Sequence, residues 1–97
     1  MHESMPEPEI RWDPRKAWVN LRKHKVSFEE ALTALKDDLS VTKPDPDHSL
    51  DENRFLTLGL SCKQRLLLVA HTDDPDEIRL ISARLPTQGE RDAYEND

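Results

Sequence analysis

The sequence predicts an α+β domain, in which a small antiparallel sheet of three to five strands carries two N-terminal helices on one face and ends in a short C-terminal helix. Two segments with helical spacing come first, and several short apolar segments follow with brief turns between them. Short turns between successive strands favour antiparallel pairing. The 97 residues suit a single domain. We expect residues 1–8 to form a flexible tail and residues 9–97 to form the domain.

Charge and composition restrict the class of protein. The chain carries a net charge of −6, with 35% charged and 35% hydrophobic residues, so it is polar without having the composition of a disordered chain. It contains no apolar run of about 18 residues, its first twelve residues do not resemble a signal peptide, and the single Cys62 cannot form an internal disulfide. These observations favour a cytoplasmic protein.

Basic residues concentrate between residues 11 and 25, where six bases accompany one acid. Such segregation gives an acidic chain a local positive surface. The alternative is the ordinary solvated face of an amphipathic helix, and the sequence leaves both interpretations open.

The first helix is predicted to begin after Asp13, which is a favourable N-cap and is followed by a proline at the first helical position. Its expected apolar stripe consists of Ala17, Trp18 and Leu21. We expect it to end near Lys25.

The second helix is predicted from Ser27, which has Glu30 three residues later in the spacing of a capping box. Its apolar residues follow the i, i+3, i+4, i+7 pattern of a helix that packs on a core. They are Phe28, Ala31, Leu32 and Leu35.

Three strands are predicted at residues 54–61, 65–72 and 78–83, and shorter candidate strands lie at 9–12 and 39–42. Leucines alternate along the first of the three, and the second is apolar on both faces, as a central strand is.

A terminal helix is predicted over residues 87–95, because Thr87 and Glu90 have the spacing of a capping box.

The acidic loop at residues 45–52 has oxygen-bearing side chains at alternate positions, as a calcium loop has. Leu50 and Leu56 stand where such a loop has its glycine and its bidentate glutamate, so we expect an ordinary solvated loop. The histidines and Cys62 lack the spacing of zinc ligands. No metal site is predicted.

Arginines in and beside apolar strands need partners, because burying an unpaired charge is costly. Successive side chains of a strand point to opposite faces, so parity alone does not place Arg54, Arg79 and Arg84 on one surface. Two interpretations stay open. The arginines reach water or pair with acidic turns, or their guanidinium groups line a cleft that binds phosphate.

Three segments in order resemble the BrnT-type toxins of bacterial type II toxin–antitoxin systems. They are WDPRKAWVNLRKHKVSFEEA (12–31), ENRFLTLG (52–59) and IRLISARLPTQGERDAY (78–94), and the resemblance extends over about residues 10–95. It implies a compact RelE/ParE-like fold and an endoribonuclease that uses no metal or other cofactor. It also implies inhibition by a BrnA-type antitoxin whose ribbon-helix-helix domain binds operator DNA.

The resemblance further implies that RNA is cut by attack of a 2′-hydroxyl on the neighbouring phosphate. That chemistry fits the arginines, since Arg84, or Arg79 and Arg54, would neutralise the charge that gathers on the phosphorane. We expect these arginines to be catalytic.

Four further residues fit the same chemistry. Tyr94 would stack on a base or hydrogen-bond the phosphate, and His71 would act as general base or acid. Lys16 and Lys23 would hold the RNA backbone.

The sequence departs from the family pattern after Arg84, where Leu85 and Pro86 replace a base and a small residue, and at Lys25, where the family tends to have glycine. An alternative is therefore a catalytically weak protein that acts as binding partner and corepressor of its antitoxin on operator DNA. A third and remoter alternative is a single-stranded RNA-binding domain without a partner. Because most aromatic residues occupy predicted core positions, they argue against a stacking platform.

Overall fold

Residues 7–95 are described by the computed structural model, and they confirm an α+β domain. The first six residues of the predicted tail lie outside the described residues. Within the described part of the chain, no helix combines the length and the apolar character that crossing a membrane requires. In chain order the elements are β1 (Glu9–Arg11), α1 (Pro14–His24), α2 (Phe28–Leu35), β2 (Val41–Pro44), a 3₁₀ turn (Pro46–His48), β3 (Arg54–Leu60), β4 (Leu66–Thr72), β5 (Glu77–Arg84) and α3 (Gln88–Glu95).

Helix α1 begins and ends where the sequence predicts, but of its predicted apolar stripe only Ala17 packs against the core. Asp13 caps the helix by accepting a hydrogen bond from the Arg15 amide at 2.8 Å, and Lys25 ends it in the left-handed conformation with φ 59°. Trp18 and Leu21 face solvent, and the buried residue of the helix is Asn20. The left-handed backbone at residue 25 explains why glycine suits this position.

Asn20 joins α1 to the edge of β5. Its amide nitrogen donates to the carbonyl oxygens of Val26 at 2.9 Å and Ala83 at 2.8 Å, and its amide oxygen accepts from the Ala83 N–H at 3.0 Å. The side chain thus reproduces the paired bonds of a neighbouring strand. It does so where β1, which pairs only with residues 77–79 of β5, has already ended.

Helix α2 starts with half of the predicted capping box. The Ser27 hydroxyl accepts from the Glu30 amide at 3.0 Å. The Glu30 carboxylate, almost fully buried, instead accepts hydrogen bonds from Ser61 at 2.7 Å and from Arg65 Nε at 2.9 Å. The hydrogen bond from Arg65 lowers the pKa of Glu30 below its usual value, although burial opposes it. This charged pair ties α2 to the turn between β3 and β4.

The five strands form one sheet in the order β1-β5-β4-β3-β2. The predicted antiparallel sheet is a mixed sheet, because β1 pairs parallel with β5, whereas β2 to β5 form an antiparallel meander. Short turns indicate how consecutive strands pair, but β1 and β5 are separated by most of the chain. A parallel pair needs such a long connection.

A bulge in β5 decides where its arginines point. Ala70 pairs with Ser82 while His71 pairs with Leu80, so Ile81 has no partner in β4. The extra residue reverses the alternation of side chains along β5. Arg79, Arg84 and β3 residue Arg54 therefore share one face of the sheet, which parity alone did not indicate.

The two faces of the sheet differ in what covers them. The core lies on the helical face, which we define as the face against which α2 and the buried side of α1 pack; its buried members are Val26, Phe28, Ala31, Ala34, Leu67, Val69, Leu80 and Ala83. At Gly59 on this face, an added Cβ would lie 2.2 Å from the Ala34 carbonyl oxygen, so α2 approaches the sheet closely. We call the other side the arginine face, because Arg54, Arg79 and Arg84 lie on it.

Replacing Asn20 by alanine should lower the free energy of unfolding by about 3 kcal/mol, because two carbonyl groups and one N–H would be left without their buried partner. Urea unfolding followed by circular dichroism measures the change. Asn53→Ala is the matched control, since Asn53 is exposed, and its effect should stay within about 0.5 kcal/mol. Equal effects of the two substitutions would contradict the role of Asn20.

Candidate active site on the arginine face

Cross-strand pairing places Arg84 and Arg54 at two ends of one surface. Arg84 lies opposite Leu68 of β4, and Leu68 lies opposite Leu58 of β3. Arg54 is four residues before Leu58 along β3, which corresponds to roughly 13 Å. The long side chains of Arg54 and Arg84 can reach towards each other across that distance, above the residues that lie between them.

A cavity of about 320 Å³ occupies the space between the two arginines. Its floor is mostly apolar and belongs to the sheet, whereas its rim is charged and comes from three separate segments. The lining residues are Leu56, Leu68, Ala70, Ile81 and Ser82 on the floor, and Arg54, Arg84, Asp45, His48 and Glu90 on the rim. An apolar pocket with a few convergent polar groups is the usual form of a binding site.

Arg84 holds a carboxylate with both of its terminal nitrogens. Nη1 and Nη2 donate to the two oxygens of Glu90 at 2.7 and 2.8 Å, which is the paired geometry that guanidinium also offers to phosphate. Glu90 also accepts from the Thr87 amide at 2.9 Å, so the predicted capping box of α3 is complete. The Arg84 hydrogen bonds lower the pKa of Glu90 from its usual 4.5 to about 2.

Arg54 and Arg79 share a second carboxylate at the other end of the face. Glu52 is bonded to Arg79 and lies 3.6 Å from Arg54 Nη2, while the Arg79 amide donates to Thr72 Oγ1 at 2.9 Å. Among the described residues, Nε of Arg54 is buried without a hydrogen-bond partner. An unpaired buried donor at the rim of a cavity is well suited to an anionic ligand.

Tyr94 lies beside this surface on α3. Its hydroxyl donates to the Leu56 carbonyl oxygen at 3.4 Å, and its ring lies 4.7 Å from the ammonium group of Lys43. Lys43 also donates to the Ala93 carbonyl oxygen at 3.2 Å. Together with the Arg84–Glu90 pair, these contacts hold α3 against the arginine face.

A basic groove adjoins the cavity. It lies between α1 and β5, has a volume of about 300 Å³ and contains both predicted backbone-binding lysines, Lys16 and Lys23. Ile81 and Ser82 line the groove as well as the cavity. The cationic side of α1 and the arginine face therefore form one continuous surface.

His71 is the predicted site residue that the fold does not bring to this surface. It lies on the helical face and is buried. Its Nε2 is 2.6 Å from Thr57 Oγ1 and its Nδ1 is 2.8 Å from the Thr72 carbonyl oxygen. Both ring nitrogens are thus engaged within the sheet.

Three rim residues were missed by the sequence analysis: Asp45, His48 and Glu90. The sequence predicts an ordinary solvated loop at residues 45–52, although Asp45 and His48 are three residues apart, the spacing that brings two side chains together in a helical turn. Glu90 was recognised as a capping residue, but its contact with Arg84 depends on how α3 folds back. Among residues 7–95, no group of three His, Cys, Asp or Glu side chains is arranged to hold a metal ion.

The chain is similar to known proteins both in sequence and in fold. The family model described as "Ribonuclease toxin, BrnT, of type II toxin-antitoxin system" matches residues 12–90. The fold is similar to the crystal structure of the Brucella abortus ribonuclease toxin BrnT, with a TM-score of 0.56 and 24% identity over 84% of this chain and 99% of that chain. At this identity the structural likeness concerns the fold alone. Among curated protein sequences, none matches the chain significantly.

Replacing Arg84 by alanine should raise the pKa of Glu90 from about 2 towards 4.5, without reaching it because the Thr87 amide still donates. In the intact protein, the contribution of the pair to stability is fully present above about pH 4.5 and is lost as the pH falls through about 2. An NMR titration of the Glu90 carboxyl carbon measures the pKa. Arg91→Ala, on the same helix, is the control and should leave it unchanged. A pKa that stays near 2 without Arg84 would contradict this assignment.

Proposed function

The chain belongs to the BrnT family of ribonuclease toxins of type II toxin–antitoxin systems, and we propose that it is an endoribonuclease whose active site is the cavity on the arginine face. One observation carries this proposal: two arginines converge on a cavity that is continuous with a basic groove. The proposed place of action is the cytoplasm. The relation of the fold to RelE and ParE toxins stays a prediction.

In the proposed complex, Arg84 binds the scissile phosphate with the same two nitrogens that now hold Glu90. A phosphate offers oxygens in the same paired geometry as a carboxylate, so it displaces Glu90 as it binds. Arg54 approaches from the other end of the cavity, with its unpaired Nε as a further donor. Two guanidinium groups then oppose the negative charge of the phosphorane.

The rest of the RNA strand follows the basic groove. From the cavity, the backbone passes over Ile81 and Ser82, which line both spaces, and reaches Lys16 and Lys23. Lysine and arginine contacts to phosphates supply affinity that does not depend on sequence. The strand that fits such a path is single-stranded and extended.

The proposed reaction needs no metal ion. The 2′-oxygen attacks the adjacent phosphorus, the bond from phosphorus to the 5′-oxygen breaks, and the products carry a 2′,3′-cyclic phosphate and a 5′-hydroxyl. In this proposal Arg79 adds positive charge beside Arg54, with which it shares the Glu52 carboxylate, and Tyr94 of α3 stacks on a base. A part for His71 in proton transfer stays a prediction, and its buried position favours a structural role.

The proposed partner is a BrnA-type antitoxin, and α1 offers a surface for it. Trp18, Val19 and Leu21 are 60%, 53% and 46% exposed, which is unusual for neighbouring large apolar side chains. The Arg22 guanidinium lies 4.8 Å from the Trp18 ring centre, and bases surround the patch. An acidic amphipathic helix of the antitoxin has the complementary chemistry. Its ribbon-helix-helix domain would bring the pair to operator DNA.

The alternative function is that of a corepressor with weak catalysis. It is favoured by the acids at the site, because Glu52 and Glu90 already pair with the three arginines and offset two of their three positive charges. The two functions differ in what happens when the chain is produced alone: only the ribonuclease arrests growth and degrades RNA.

Arg84→Ala should lower the rate of RNA cleavage by about 10²–10³-fold, because it removes the paired donors to the phosphate. The measurement is induced expression of the chain alone, with growth and total RNA followed together. Arg11→Ala is the matched control: Arg11 pairs with acids near the sheet edge, outside the cavity, and its loss should not prevent growth arrest.

Undiminished RNA decay with Arg84→Ala would contradict the proposed site. Normal growth and intact RNA with the folded, abundant unaltered chain would favour the corepressor.

Trp18→Ala should weaken the complex with the ribbon-helix-helix antitoxin encoded beside the toxin gene by about 30-fold or more, as expected for an anchoring aromatic residue. Isothermal titration calorimetry measures the affinity, and RNA cleavage by the free variant should be unchanged. Leu39→Ala removes an apolar side chain that is as exposed but lies away from α1, so it should leave the affinity unchanged. Equal antitoxin affinities of the Trp18 variant and the unaltered chain would exclude the α1 surface as the antitoxin-binding site.

A further inference from the structure

A histidine and an aspartate lie on the rim of the cavity, in the loop between β2 and β3. Nδ1 of His48 is 3.0 Å from Oδ2 of Asp45. A carboxylate only accepts hydrogen bonds, so Nδ1 carries the proton and donates it. The other ring nitrogen, Nε2, then has its lone pair available, and it has no hydrogen-bond partner among the described residues. This is the arrangement of a histidine held ready to accept a proton.

The loop holds this pair next to Arg54 through the backbone. The Asp45 amide donates to the Arg54 carbonyl oxygen at 2.8 Å, and the Arg54 amide donates to Ser49 Oγ at 3.0 Å. Ser49 in turn donates to the Asp45 carbonyl oxygen at 2.6 Å. Both backbone groups of Arg54 are therefore bonded into the loop, so the position of the histidine is coupled to that of the arginine.

Asp45 is mostly buried, as suits a supporting group, whereas His48 is exposed, as suits a group that reacts with a substrate. The side chain of Asp45 is 15% exposed, whereas that of His48 is 67% exposed. Both line the cavity that contains Arg54 and Arg84. A substrate phosphate between the arginines would bring its neighbouring ribose to this rim.

We propose that His48 is the general base of the RNA cleavage reaction and that Asp45 is its positioning residue. This inference rests on the proposed function. Nε2 of His48 takes the proton of the 2′-hydroxyl as the 2′-oxygen bonds to phosphorus. The phosphorus–O5′ bond breaks, its electron pair goes to O5′, and O5′ takes a proton from water. His48 afterwards returns its proton to solvent, and the products are the cyclic phosphate and the 5′-hydroxyl strand.

The test uses the full-length chain and a labelled single-stranded RNA, with cleavage measured in single turnover at saturating protein. His48→Ala should lower the rate by about 10²-fold or more, with RNA affinity unchanged, and added imidazole should restore part of it. Asp45→Asn should lower the rate less and change the His48 ring ¹⁵N shifts, which report which ring nitrogen is protonated. Asp47→Asn, an exposed acid in the same turn, is the control.

Each outcome of this test either supports or overturns the role of His48. A His48→Ala rate within about tenfold of the unaltered chain, a loss explained by weaker RNA binding or unfolding, or a lack of rescue by imidazole overturns the general base. If Arg84→Ala is inactive in the same assay, the proposed ribonuclease function stands, but His48 is not its general base. If the unaltered chain cleaves no RNA, the proposed function itself falls, and the His48 inference falls with it.

Discussion

The arrangement of the candidate functional surface depends on the contacts of the Asn20 side chain. Strand β1 covers only the first part of the β5 edge, and beyond it the backbone of Ala83 would have no partner inside the protein. Asn20 supplies both bonds and, through Val26, also holds the start of the next helix. Because an unpaired buried backbone group costs about 1–3 kcal/mol, α1 is held along this edge. The basic side of α1 therefore continues into the arginine face instead of lying on a separate surface.

That placement also explains why the amphipathic pattern of α1 is misleading. A helix that packs flat on a sheet buries its apolar stripe, but α1 reaches the sheet edge through a polar residue. Trp18 and Leu21 consequently face outward, among bases that suit an acidic partner. The exposed patch follows from the same constraint that joins the basic groove to the cavity.

The elements that can be predicted from the sequence are those that depend on interactions between residues close together in the chain. N-caps at Asp13 and Ser27 and the capping box of α3 act within a few residues, so the helices could be placed from the sequence alone. The bulge at Ile81 could not be predicted from the sequence alone, since it depends on how the residues of β5 pair with those of β4. Because β5 contains this one extra residue, Arg54, Arg79 and Arg84 lie on one face of the sheet although their positions in the sequence differ in parity. The parallel partner of β5 and the Asp45–His48 pair likewise depend on contacts that no local pattern carries.

The site also shows how an acidic protein can prepare a surface for anions. Carboxylates hold Arg84 and Arg79 in place before any ligand arrives, which reduces the side-chain entropy that binding would otherwise cost. A ligand must then compete with Glu90 for the same two nitrogens. The RNA phosphate of the proposed complex faces this competition, so it gains only the difference between its own bonds to Arg84 and those of Glu90. In the proposed RNA complex, most of the affinity must therefore come from the rest of the surface, which is the basic groove along α1.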